Sequence, residues 1–121
     1  MTGTGATVTV ARTGAVLVER LGLANSFWTR FKGLMGRKTF PAGDGLLIVP
    51  CNSVHCFFMK FAIDVVYLSR DGEVLRVASE LRPGAIGPLV KGARAVLELP
   101  GGTTATAGVL PGDRLEGLPP L

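Results

Sequence analysis

Asp71-Gly72 lies between two largely apolar, β-branched-rich runs, and this pairing constrains the fold more than any other feature of the chain. Ile63 to Ser69 reads as the clearest strand and Glu73 to Ser79 as its partner. An Asp-Gly pair between such runs predicts a type I′ hairpin, a turn that needs positive φ. The pattern recurs elsewhere. Thr7 to Arg12 and Ala15 to Arg20 carry Val8, Val10, Val16 and Val18 around Thr13-Gly14. Leu46 to Val49 is wholly apolar, as a strand buried on both faces is. His55 to Phe58 reads as extended, Ala95 to Leu99 as another strand, and Gly112 to Leu115 turns into a last short one.

One main helix is expected, over residues 26–35. Asn25 or Ser26 caps it, Phe27, Phe31, Leu34 and Met35 fall on one face, and Gly36 ends it in the left-handed conformation. Thr103 to Ala107 reads as one further helical turn. The 17 glycines and 8 prolines suit many turns between short strands. The expected fold is therefore mostly β (α+β): a single domain over 1–121, built as a compact antiparallel β-barrel or sandwich-like unit. Residues 117–121 read as a tail, and Leu81 to Gly92 as a loop with room to move.

Charge and targeting signals narrow the function classes. The formal net charge is +4, and the 13 Lys and Arg are spread along the sequence without a basic block. That gives no specific nucleic-acid signal. No run approaches the roughly eighteen apolar residues of a spanning helix, so no membrane segment is expected. Met1 to Val8 has neither a charged n-region nor an apolar h-region, and the chain reads as cytoplasmic.

The chemistry-bearing residues gather in Pro50-Cys-Asn-Ser-Val-His-Cys-Phe-Phe-Met-Lys60, which holds both cysteines and the sole histidine. Thiolate and imidazole ligate metals and also form nucleophile–base pairs. Three soft donors fall short of a zinc set unless Asp64, Asp44 or water completes it, so no metal is assigned. In an extended His55 to Phe57, Cys56 points away from His55, which leaves Cys51 as the better partner. A Cys51–Cys56 disulfide, or two buried free thiols, are the alternatives. Asp64 interrupts an apolar strand; it faces solvent, pairs with Lys60 or Arg37, or forms a polar pocket wall. Arg37, just past Gly36, offers a fork for an anion. Phe57, Phe58, Met59 and Phe61 read as a core cluster around Lys60.

The blocks Phe31-Lys-Gly-Leu-Met-Gly-Arg, Gly45-Leu-Leu-Ile, Phe58-Met-Lys, Ile63-Asp-Val-Val-Tyr-Leu, Asp71-Gly-Glu-Val, Ala95-Val-Leu-Glu-Leu-Pro-Gly-Gly-Thr and Gly108-Val-Leu-Pro-Gly-Asp-Arg-Leu occur in that order. Together they resemble the family called domain of unknown function 192, over about residues 29–115. Pro50-Cys-Asn-Ser-Val-His resembles a branch in which a Cys and a His precede the Phe-Met block. Where this chain reads Phe58-Met-Lys-Phe-Ala, members of the family often read Trp-Met-Lys-Asn-Thr. The resemblance implies a compact β-rich fold with a helix near Gly33-Leu-Met-Gly-Arg, and it implies no activity.

Three functions follow from these residues. The first is a binding module, with Arg37, Cys51, His55, Met59, Lys60 and Asp64 around a small pocket for a small, anionic ligand or a partner segment. The second is a thiol-dependent enzyme with Cys51 as nucleophile, His55 as base and Asp64 as orienter. The third is an interaction subunit, monomer or homodimer, using a strand edge or the 81–92 loop to meet a protein partner. No cofactor is assigned.

Overall fold

The computed structural model describes residues 2–3, 6–26, 29–30, 34, 36–54 and 59–121. Among the described residues nine strands follow one another: β1 (Thr2–Gly3), β2 (Val8–Val10), β3 (Val16–Val18), β4 (Arg20–Ala24), β5 (Asp44–Ile48), β6 (Ile63–Leu68), β7 (Val74–Leu81), β8 (Ala95–Pro100) and β9 (Leu115–Glu116). One helix, α1 (Thr103–Ala107), lies between β8 and β9.

The strands form two sheets. The larger has the order β1-β4-β5-β8-β6-β7 and the smaller the order β3-β2-β9. Both sheets are open, so the architecture is sandwich-like and the barrel alternative is set aside. The expected all-antiparallel pairing also needs one correction, because β4 and β5 run parallel, Arg20 opposite Asp44 through Ala24 opposite Ile48. Residues 25–43 make this crossover. A parallel pair leaves no tight turn in the sequence to betray it.

The β6–β7 connection also departs from expectation. Gly72 N–H donates to Ser69 O at 3.0 Å, Ser69 N–H donates to Glu73 O, and of the turn residues only Gly72 has positive φ, +82°. This is a three-residue loop with a G1 bulge rather than a type I′ turn, and it satisfies the same demand for glycine one position later.

The predicted 26–35 helix is described only in part. Ser26 Oγ accepts the Thr29 N–H at 3.2 Å, and Thr29 Oγ1 accepts the Ser26 N–H at 3.0 Å. Arg30 N–H donates to Ser26 O at 2.9 Å. Ser26 is therefore the N-cap, with Thr29 returning the bond as in a capping box. Phe27, Trp28, Phe31 and Met35 lie outside the described residues.

Alternation along the central strands divides the core in two. Val66, Leu68, Ala95, Leu97, Leu99 and Leu47 turn toward the small sheet and pack on Val8, Val10, Val18 and Leu115. Ile63, Val65, Tyr67, Val96, Leu46 and Ile48 turn the other way, under Leu34, Phe40, Val54, Met59, Phe61 and Val90. The second face is thus roofed by Leu34 and by residues of the stretches 36–41, 50–54, 59–61 and 82–94. The 81–92 loop is tied to that roof, since Gly87 N–H donates to Val54 O at 2.8 Å and Val90 N–H to Asn52 O at 2.9 Å.

Candidate functional site

Asp64 stands at the second position of β6 and is fully buried. The β6–β7 register jumps from Ile63–Leu81 to Val65–Ala78, so two residues of β7 oppose Asp64 alone. The carboxylate fills this bulge. Its Oδ1 accepts Glu80 N–H at 2.8 Å and Gly102 N–H at 3.1 Å. Its Oδ2 accepts Thr104 N–H at 2.8 Å and Thr104 Oγ1–H at 2.7 Å. Glu80 is held at φ +51°, a conformation that side chains with a Cβ seldom adopt. Asp64 therefore faces neither solvent nor Lys60 nor Arg37. It pins β7 and the first turn of α1 to the sheet.

That placement separates the proposed Cys–His–Asp group. Asp64 shares its side of β6 with Val66 and Leu68, which face the small sheet. Cys51 packs with the opposite core. The six-stranded sheet lies between them, so Asp64 does not orient a base near Cys51. His55 and Cys56 lie outside the described residues.

Cys51 follows β5, where its N–H donates to Arg94 O at 3.0 Å and its thiol donates to Ser53 O at 2.9 Å. The thiol is free in this structure. Burial pushes its pKa above the ordinary thiol range, and the charge of Glu98 pushes the same way. An activated nucleophile needs the opposite shift.

Glu98 was not singled out by the sequence reading. In β8 it sits between Leu46 of β5 and Val65 of β6, on the face that Cys51 covers. It is 3% exposed, and its Oε1 has no hydrogen-bond partner among the described residues. Desolvation raises its pKa to about 7. A buried carboxyl without a full set of partners costs free energy and is a candidate for a functional site. The available signal was a lone acid in an apolar strand, Val96-Leu-Glu-Leu, which is the same signal that drew attention to Asp64.

Beside Cys51 an open recess of about 240 Å³ is lined by Pro50, Cys51, Asn52, Ala93 and Arg94. Arg94 Nε donates to Leu121 O at 3.3 Å, and Arg30 Nη1 donates to Pro50 O at 3.2 Å, so two guanidinium groups border this corner. Gly87 closes the roof over Tyr67. A Cβ built there would come within 2.7 Å of Val54 Cγ2 and 2.8 Å of the Tyr67 hydroxyl.

The remaining expected site residues disperse. Arg37 lies 3.7 Å from Asp44 and over the Phe40 ring at 5.5 Å, which occupies its fork. Met59 is buried in the roofed core, and Lys60 is exposed. Of the six, Cys51 and Met59 share that core, while Asp64 faces away from it. No group of three or more His, Cys, Asp or Glu with metal-binding geometry occurs among the described residues. A larger recess, about 490 Å³ between β3 and α1, has Glu19 as its sole charged lining residue and none of the candidate groups.

Comparison with known proteins agrees with this architecture. The family model of domain of unknown function 192, described as an uncharacterized ACR, matches residues 8–117. A UPF0127 protein of Pyrococcus furiosus is 36% identical over 98 residues, 77% of this chain and 82% of that protein. A Novosphingobium aromaticivorans crystal structure of unknown function superposes with TM-score 0.80 at 26% identity, covering 92% of this chain and 82% of that one. A provisionally assigned transcription regulator from Sinorhizobium meliloti gives TM-score 0.79 at 26% identity, covering 96% and 94%.

Proposed function

This chain belongs to the family of domain of unknown function 192, and from its geometry we propose a small-molecule-binding module whose site is the Cys51–Arg94 corner above Glu98. The observation that carries this reading is the Glu98 carboxyl, buried with one oxygen unpartnered among the described residues. Buried polar atoms are nearly always satisfied, and the Glu98 charge reaches Cys51, which lines the recess, so this exception calls for a ligand group to complete it. Arg94 and Asn52 at the recess supply charge and hydrogen bonds for a small anionic ligand, while Glu98 below takes a donor from it. His55, three residues after Asn52, remains part of the proposal on its sequence position alone.

A binding role fits better than the thiol enzyme. Cys51 keeps its proton on a carbonyl bond, and Asp64 faces the other core. The free thiol suits a reducing compartment, so we place the protein in the cytoplasm, as monomer or homodimer.

Native mass spectrometry of gently purified protein, set against its denatured mass, tests the site. A bound mass that is lost on denaturation and absent from Glu98→Gln and Arg94→Ala proteins supports it. A bare chain in every sample, or a ligand that survives both substitutions, overturns it.

A further inference from the structure

The fold gathers charge that the sequence scatters. The described residues of the segments over the second core, 26, 29–30, 34, 36–41, 50–54, 59–61 and 82–94, hold seven of the 13 Lys and Arg and none of the nine Asp and Glu. Lys38, Lys60, Arg82 and Lys91 are exposed, and none enters an ion pair among the described residues. Arg30 donates to the neutral Pro50 carbonyl, so its charge stays uncancelled. Among the described residues, Arg37 of this layer makes a long ion-pair contact with Asp44, which bonds Arg20 more closely, at 2.6 Å.

The same layer carries the chain's most exposed aliphatic side chains. Ile86 is 71% and Leu89 69% exposed. Each precedes a residue whose N–H is tied inward, Gly87 to Val54 O and Val90 to Asn52 O. The loop is therefore anchored through alternate points, and its two aliphatic groups stand out from the roof beside Arg82 and Lys91.

We propose that this layer docks on an anionic lipid bilayer, with Ile86 and Leu89 entering the headgroup boundary and the cations holding the surface. Basic residues near an anionic leaflet each strengthen binding by roughly fivefold, and short aliphatic insertions add to it. The chemistry favours lipid over the other polyanions. Base contacts use amide-bearing or aromatic side chains, and the projecting groups here are aliphatic. A protein hot spot uses large anchors in a closed, dry patch, whereas this loop projects singly. The inference stands apart from the Cys51–Arg94 site and does not require a ligand there.

Co-sedimentation with large vesicles tests it, using equimolar phosphatidylglycerol and phosphatidylcholine against phosphatidylcholine alone. The expected result is partition onto the anionic vesicles only, falling at least about tenfold between roughly 0.05 and 0.5 M salt as charges are screened. Ile86→Asp/Leu89→Asp protein should partition at least about tenfold less, as removal of the apolar insertion requires. Ile86→Ser/Leu89→Ser protein, with an unchanged near-ultraviolet circular dichroism spectrum, separates loss of docking from loss of fold and should also bind less. Absence of binding to anionic vesicles overturns the proposal. So does binding indifferent to both loop variants, or tighter retention on duplex DNA that ignores them, which would mark a nucleic-acid surface.

Discussion

Asp64 accepts both the backbone N–H and the hydroxyl of Thr104, at 2.8 and 2.7 Å, and so fastens α1 to the second residue of β6. Two more N–H groups, from Glu80 and Gly102, converge on the other oxygen. Removing the carboxylate strands these donors in a buried site, at about 1–3 kcal/mol for a lost partner. Asp64→Ala should therefore destabilise the fold by roughly 3–5 kcal/mol, in the range of broken buried networks. Thr104→Val keeps the N–H bond and should cost about 1 kcal/mol. Urea unfolding of both proteins checks the ratio; equal small losses would contradict the latch.

Glu98 gives stability a pH dependence of unusual sign for a carboxylate. Its folded pKa of about 7 lies above the ordinary 4.5, so the folded state binds the extra proton between these values. Stability then falls as pH rises from 4.5 to about 7, by about 3 kcal/mol in all, and levels off above. Glu98→Gln should flatten that slope and be the more stable protein at alkaline pH. Asp113 works in the other direction, because Arg12 holds it below the usual range through bonds of 2.7 and 3.0 Å. Its contribution is present at neutral pH and lost as pH falls through the depressed value. Urea midpoints of wild type and Glu98→Gln across pH 4.5 to 7 isolate the Glu98 contribution, and midpoints of wild type and Asp113→Asn below the ordinary aspartate range isolate that of Asp113.

The Cys51 thiol should react slowly. Burial and the neighbouring Glu98 charge both hold it protonated, and the thiolate is the reactive form. Iodoacetamide labelling, with Cys51 separated from Cys56 by peptide mapping, should show a rate at neutral pH below that of a model thiol and a rise displaced to higher pH. Glu98→Gln should shift the rise back toward the ordinary range. A fast, flat labelling profile at Cys51 would restore the nucleophile reading.

Gly87 leaves no room for a methyl group. The nearest atoms belong to Val54 and to the Tyr67 hydroxyl, both held in the core. Gly87→Ala should cost about 1–3 kcal/mol, as overpacking does. It should also loosen the roof, seen as faster hydrogen exchange at the Gly87 and Val90 amides, which donate to Val54 and Asn52. Unchanged stability and exchange would mean that the loop adjusts without strain.

Strands with alternating or wholly apolar patterns were legible, and so was the Ser26 cap. Ile63–Leu68 and Val74–Leu81 formed where the largely apolar runs and Asp71-Gly72 placed them. The parallel β4–β5 pair was hidden, because register between strands joined by a long crossover is set by packing rather than by any local turn. Asp64 was noticed for the right reason, a charge in an apolar strand, but its donors come from residues sixteen to forty positions away. Glu98 carried the same signal on the opposite face, and only the sheet order shows that it, rather than Asp64, lies on the Cys51 side. The basic layer was invisible to any search for a cationic block, since its segments come together only when the chain closes over the second core.

The most direct measurement is a carbon NMR titration of the Glu98 side-chain carboxyl in the intact protein. A midpoint near 7 would establish a buried, incompletely partnered carboxyl at the base of the site, and an added ligand should move it. A midpoint near the ordinary 4.5 would mean that Glu98 is solvated or fully paired, and the proposed site would lose its foundation.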